Sequence, residues 1–206
     1  MTADEAYRWL IGGAAPGGDT FDTHVLAAIL ALAIAEGGAS GRLCAHAGLD
    51  QDALRALAGM VFPGCMAGLD RMARLPPPAA ETEQTSLRDL LLAHATGERP
   101  LETQLAAMIA RRAMEPDHLW QDLGLRHRGE LTALLDRHFA PLARQNTDNM
   151  KWKRFFYRKL CEDEGFVLCA APVCTACNDF ETCFGEETGE ARLARIANGL
   201  PAHSHA

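Results

Sequence analysis

Alternating apolar and polar residues, the mark of a half-buried strand, are nearly missing from this 206-residue chain, which argues against a sheet-based core. No apolar run is long enough to cross a bilayer. The longest, Val25 to Ala35, stops at Glu36 and reads as a buried helix. Positive charge is in the minority, 20 Lys+Arg against 27 Asp+Glu, giving a net charge of -7 and a pI near 5.6. A globally basic nucleic-acid binder does not fit that balance, and only a local basic patch remains open to such a role. A Gly-rich phosphate loop, G-x-S-x-G and H-E-x-x-H are all absent, so nothing marks a hydrolase, a transferase or a nucleotide-binding fold. The opening residues Met1-Thr2-Ala3-Asp4-Glu5 carry acid where a secretory signal would carry positive charge. The expectation is a cytoplasmic protein with no membrane association, in a reducing compartment.

What is abundant is alanine, leucine and arginine at helical spacing, in a chain that is 48% hydrophobic and 23% charged. The expected fold is all-α: an irregular helical bundle with a C-terminal cysteine-rich metal-binding loop. A first helix is predicted from Asp22 to Glu36, stopped by Gly37-Gly38, and a second capped by Asp50 and closed by Pro63. A third covers about Ala67 to Arg74. Leu75-Pro76-Pro77-Pro78 and the polar residues after it read as a linker, with Ser86 and Asp89 forming a capping box that opens the next helix. Further helices are predicted from Pro100 to Arg112, Arg128 to Phe139 and Asp148 to Glu162, with a short one from Gly189 to Asn198 and a disordered tail at His203–His205. The chain divides into an N-terminal helical part (1–74), a proline-rich linker (75–86) and a C-terminal helical part (87–206). The last part contains the metal loop at 165–185, and the whole forms one domain.

The densest chemistry lies in Cys169-Ala-Ala-Pro-Val-Cys174-Thr-Ala-Cys177-Asn-Asp-Phe-Glu-Thr-Cys183, a C-x4-C-x2-C-x5-C array. Four thiolates so close repel one another and call for a cation, and in a reducing compartment metal is favoured over disulfides. Structural zinc generally uses two C-x2-C knuckles, whereas here only Cys174 and Cys177 form one. The wider flanking spacings suit a loop wrapped around an iron–sulfur cluster, with zinc as the alternative. Cys161 is either a fifth thiolate near the site or a core residue at a helix end. Cys44 and Cys65 read as small core residues.

Met150-Lys-Trp-Lys-Arg-Phe-Phe-Tyr-Arg-Lys-Leu-Cys161 is basic and aromatic in an otherwise acidic chain. On a helical wheel Trp152, Phe156 and Leu160 stack on one face, with Phe155 beside them, while Lys151, Arg154 and Arg158 line another. That basic face is a candidate for binding an anion or an acidic partner, and a solvated amphipathic face is the plainer reading. Asp117 to Arg128 gathers His118 and His127 with two acids and two arginines, making both histidines candidate additional ligands.

The segment from Met150 into the four-cysteine array resembles the C-terminal signature of the NifQ family. His118-Leu119-Trp120, Asp122-Leu123-Gly124-Leu125 and Phe62-Pro63-Gly64 are also similar to family landmarks. The resemblance implies a nitrogen-fixation protein that is a metal carrier and not an enzyme. It implies an iron–sulfur cluster of the [3Fe-4S]/[4Fe-4S] type on Cys169, Cys174, Cys177 and Cys183, with a molybdenum-containing [Mo-3Fe-4S] form. Molybdate or a molybdenum–sulfur species would be the cargo, donated for the nitrogenase iron–molybdenum cofactor. The implied partners are the NifEN scaffold and the nitrogenase iron protein. The same cysteines would equally serve a small [4Fe-4S] electron-transfer protein, or a zinc-stabilised interaction module.

Overall fold

The computed structural model describes residues 1–97 and 100–163. Helices are the only regular elements among them, so the chain is all-α. The expected metal loop at 165–185, the helix at Gly189–Asn198 and the tail lie outside the described residues.

The first helix, α1 (Ala3–Gly12), had no place in the expected pattern. Its start is fixed by a reciprocal cap: the Thr2 hydroxyl accepts the Glu5 N–H at 3.2 Å, and the Glu5 carboxylate accepts the Thr2 N–H at 2.8 Å. Helix α2 (Thr20–Ala33) starts at Asp19, whose carboxylate accepts the N–H groups of Phe21 and Asp22 at 3.0 Å each. Every residue from Val25 to Ile34 is buried, so the apolar run forms the central helix of the fold. The stretch Thr20–Gly38 has the length and composition of a membrane span, but 72% of it is buried inside the protein, as a core helix would be. At its end the expected α-helix widens into a π-turn, Ile34–Gly38.

Helix α3 (Leu43–Ala47) follows, then α4 (Gln51–Val61), which Asp50 caps as expected, its carboxylate accepting the Ala53 N–H at 2.7 Å. A 3-10 turn at Pro63–Cys65 leads into α5 (Met66–Met72). The expected helix start at Ser86 is corrected. Helix α6 (Thr82–Ala93) begins as soon as the prolines end, with extended Glu81 as its N-cap, and Ser86 lies inside the helix.

Helices α7 (Glu102–Ala113) and α9 (Arg128–His138) agree with expectation to within about two residues, the usual scatter of helix ends. The short helices α8 (Leu119–Asp122) and α10 (Ala140–Ala143) flank α9. The last described helix, α11 (Trp152–Asp163), begins four residues after the expected Asp148. One core of buried residues runs from Ala6 to Phe156, taking in α1, α2, α4, α6, α7, α9 and α11. Gly124 marks a close approach in it: φ is +73°, and a Cβ there would meet the Ala28 carbonyl of α2 at 3.0 Å.

Candidate functional site

The described part of the site is α11, which carries the basic and aromatic segment and leads in sequence to the cysteine array. Its late start has a local cause. The Asn146 side chain accepts the Met150 N–H and donates to the Met150 carbonyl, both at 2.8 Å, closing a turn around Asn149 at φ 54°. Arg128, at the start of α9, donates to the carbonyls of Asn149 and Met150 at 2.9 Å each. The turn that leads into α11 is thereby tied to α9.

The apolar face lies where the helical wheel puts it. Trp152, Phe155 and Phe156 are buried, with ring centroids 5.8 to 6.1 Å apart, and Leu160 is half-buried. Such pairs contribute about 0.5–1.5 kcal/mol beyond burial of their area. Tyr157 packs toward α6. Burial pushes its phenol up, and a hydrogen bond to Glu83 together with that residue's charge pushes it further.

Between the two faces lies a residue with no place among the expected site residues. Lys153 donates to the Asp122 carboxylate at 2.6 Å and to the Glu115 carbonyl. Asp122 is fully buried, and its own carbonyl accepts from Arg112 Nε at 2.7 Å. Arg112, also fully buried, grips Glu36 with two N–H groups at 2.6 and 3.2 Å. His46 Nδ1 lies 3.3 Å from Glu36. Charges of alternating sign thus run from the π-turn through α7 and α8 to α11. Removing the Glu36 carboxylate would break the ion pair of the fully buried Arg112, and breaking a buried pair costs about 3–5 kcal/mol. Local sequence gives little sign of this chain, because Arg112 and Glu36 are 76 residues apart and Lys153 and Asp122 are 31 apart.

The basic face divides. Arg154 is exposed, and Lys151 and Arg158 are half-buried. Arg158 and Lys159 both hold the Glu162 carboxylate, at 3.0 and 2.9 Å. Those hydrogen bonds keep Glu162 below the usual carboxylate range, Lys159 acting more strongly than Arg158. A cleft of about 200 Å³ opens beside them, lined by Asn146, Asp148, Phe155, Arg158, Lys159 and Glu162. Cys161 is a half-buried free thiol one turn beyond Arg158.

The candidate histidines stand at helix starts. His118 is the half-buried N-cap of α8, its N–H donating to Gln121 Oε1 at 3.3 Å, and His127 is the exposed N-cap of α9. Among the described residues no three His, Cys, Asp or Glu side chains gather closely enough to hold a metal ion. The four array cysteines lie outside the described residues, so their fit to a metal rests on donor chemistry: four soft thiolates suit iron, zinc or a sulfide-bridged cluster. Two other histidines, with no distinguishing spacing in the sequence, join hydrogen-bond networks, His24 half-buried and His138 fully buried. His24 links Tyr7 at 2.8 Å to Glu130 at 3.3 Å, and His138 bonds Asp22 at 3.0 Å.

Comparison with known proteins matches the family model described as NifQ over residues 25–185. The chain is 44% identical over 171 residues to the protein NifQ homolog of Sinorhizobium fredii, covering 82% of this chain and 74% of that protein. It is 40% identical over 173 residues to protein NifQ of Rhodobacter capsulatus, covering 82% and 93%. It is 44% identical over 105 residues to protein NifQ of Azotobacter vinelandii, covering 51% and 54%. No solved structure matches.

Proposed function

The chain belongs to the NifQ family, a nitrogen-fixation family, and from that premise we propose that it is a molybdenum carrier and not an enzyme. It would hold an iron–sulfur cluster on Cys169, Cys174, Cys177 and Cys183 and donate molybdenum for the nitrogenase iron–molybdenum cofactor. The observation that carries this reading is the reach of the family match. It runs through residue 185 and so takes in all four cysteines of the array. Bound there, the cluster supplies a soft thiolate and sulfide environment suited to iron and compatible with molybdenum as cargo.

The protein's own residues have three tasks in this scheme. The array thiolates bind the metal. The buried side of α11 ties the preceding helix to the core. Arg154 and Arg158, with Lys151, present positive charge that attracts molybdate or orients an acidic surface of the NifEN scaffold or the nitrogenase iron protein. Cys161, His118 and His127 are the candidates for an exchangeable additional ligand. The compartment would be cytoplasmic, where thiols stay reduced.

Anaerobic metal and sulfide analysis tests the reading, on protein from molybdate-replete cells beside a Cys177→Ala control. The expected result is iron, sulfide and up to equimolar molybdenum per cluster, lost in the control. Iron and sulfide without molybdenum would point to electron transfer, or to a precursor cluster still awaiting molybdenum. One zinc and no colour would point to an interaction module.

A further inference from the structure

Two stretches hold no charged residue, Trp9 to Gly18 and Ala56 to Leu69, in a chain that is 23% charged. The fold joins them. The Ala15 N–H donates to the Val61 carbonyl at 2.9 Å, the Gly64 N–H to the Gly13 carbonyl at 3.0 Å, and the Cys65 thiol to the Trp9 carbonyl at 3.4 Å. The result is an uncharged face where α1 and α4 end, on which Ile11 is 40% and Met60 46% exposed. Apolar patches of this kind mark interaction surfaces, unlike apolar side chains exposed singly. Two glycines of the face have no use inside the fold. Gly59 lies within α4, where glycine is destabilising relative to alanine, and Gly12 ends α1. Neither has a left-handed φ, and a Cβ on either would meet no atom of the described residues within 4 Å. What bare backbone permits there is the close approach of a second surface.

We propose that this face is the interface of a homodimer, in which Ile11 and Met60 of one copy pack on the bare backbone at Gly12 and Gly59 of a second. Three observations select a second copy as the occupant. A two-fold interface must be complementary to itself, and this face carries projections and bare backbone together, Ile11 beside Gly12 and Met60 beside Gly59. Charge agrees. The chain carries -7, so its copies repel at long range, but the four charges that bound the two stretches are each paired within the chain: Arg8 with Asp4, Asp19 with Arg137, and Arg55 with Asp70. Size sets the strength. Nine residues of the first stretch and seven of the second reach solvent, fewer than the roughly 20–30 a side of a standard interface. The dimer is therefore weak and dissociates on dilution. The inference goes beyond the carrier reading and holds whichever metal the array takes.

Sedimentation equilibrium of the full chain, purified anaerobically, tests this from about 1 to about 300 µM, the range of weak interfaces. Wild type is expected to pass from monomer to dimer across that range. Ile11→Glu and Met60→Glu each force a charge into a dry contact and should weaken the dimer about tenfold or more. Leu75→Glu, at an apolar side chain 44% exposed outside the face, controls for added charge and should leave the dimer unchanged. Gly59→Ala separates the fold from the interface. In dilute solution its thermal midpoint should rise by about 2–4 °C, because alanine is the better helix former, while its dimer weakens. A dimer that either glutamate variant leaves intact, or that Leu75→Glu weakens as much, overturns the proposal. So does a wild type that is monomeric at every concentration. Hydroxyl-radical oxidation of Met60, read by peptide mass spectrometry, then assigns the face: slow oxidation to cover by the chain's own residues, rapid oxidation to a different protein.

Discussion

At the residue scale the cysteines divide into two chemical populations. Cys44 is fully buried and Cys65 is 1% exposed, with its thiol 3.4 Å from the Trp9 carbonyl. Burial pushes both thiols above their ordinary value of 9.0; at Cys44 the nearby Asp50 charge adds to this and Arg55 opposes it. Neither offers a thiolate to metal or oxidant near neutral pH. Iodoacetamide applied to the native protein should therefore label Cys161 well before Cys44 or Cys65, as read by peptide mass spectrometry. Labelling of the buried pair at the rate seen in urea would contradict their role as core residues. That role was legible from their isolation in the sequence. Lys153, Asp122, Arg112 and Glu36 were not legible as a group, because their charged pairs, Lys153 with Asp122 and Arg112 with Glu36, join positions 31 and 76 residues apart and no local pattern encodes such a pairing.

At the element scale, helices whose signals are local were readable. The Asp50 cap of α4 and the unbroken apolar run of α2 need no tertiary information. The misses have physical causes. The Thr2–Glu5 capping box that opens α1 stands in the sequence, but the helix behind it is short and its buried face is mostly alanine. Ser86 lies inside α6 and not at its start, and a capping pattern within a helix looks the same in sequence as one at its end. Asp148 does not start α11 because Asn146 and Arg128 fix the turn that delays the helix to Trp152. The docking of α9 on α2 yields a pH prediction through Glu130. Burial raises its carboxyl, but the Arg126 N–H, the His24 hydrogen bond and the charges of both residues outweigh that and hold it below the ordinary 4.5. A depressed carboxyl contributes stability that is present above 4.5 and lost as the pH falls through the lower folded value. Urea unfolding of metal-free protein from about pH 6 to about pH 3 should show wild type losing about 1 kcal/mol more than Glu130→Gln. Parallel curves would mean that Glu130 does not couple the two helices.

At the scale of the whole molecule, the described core and the proposed metal centre occupy different stretches of the sequence. Among the described residues the buried apolar side chains run from Ala3 to Phe156, whereas the array begins at Cys169. A protein whose core forms without its metal should keep its helices when the metal is removed, unlike a zinc finger, whose fold is its metal site. Replacing all four array cysteines with serine is therefore expected to abolish iron binding yet move the thermal midpoint by less than about 4 °C, roughly 1 kcal/mol for a chain of this length. Phe156→Ala supplies the contrast. It empties a fully buried aromatic position on α11, costing about 3–5 kcal/mol and so about 6–20 °C. If the serine variant instead loses its far-UV helical signal, metal binding and folding are one event, and the helical core depends on the cluster in a way its packing does not reveal. If the serine variant stays folded and Phe156→Ala drops the midpoint as expected, α11 is a core helix that leads to the carrier segment, and the cluster can load and unload without unfolding the protein.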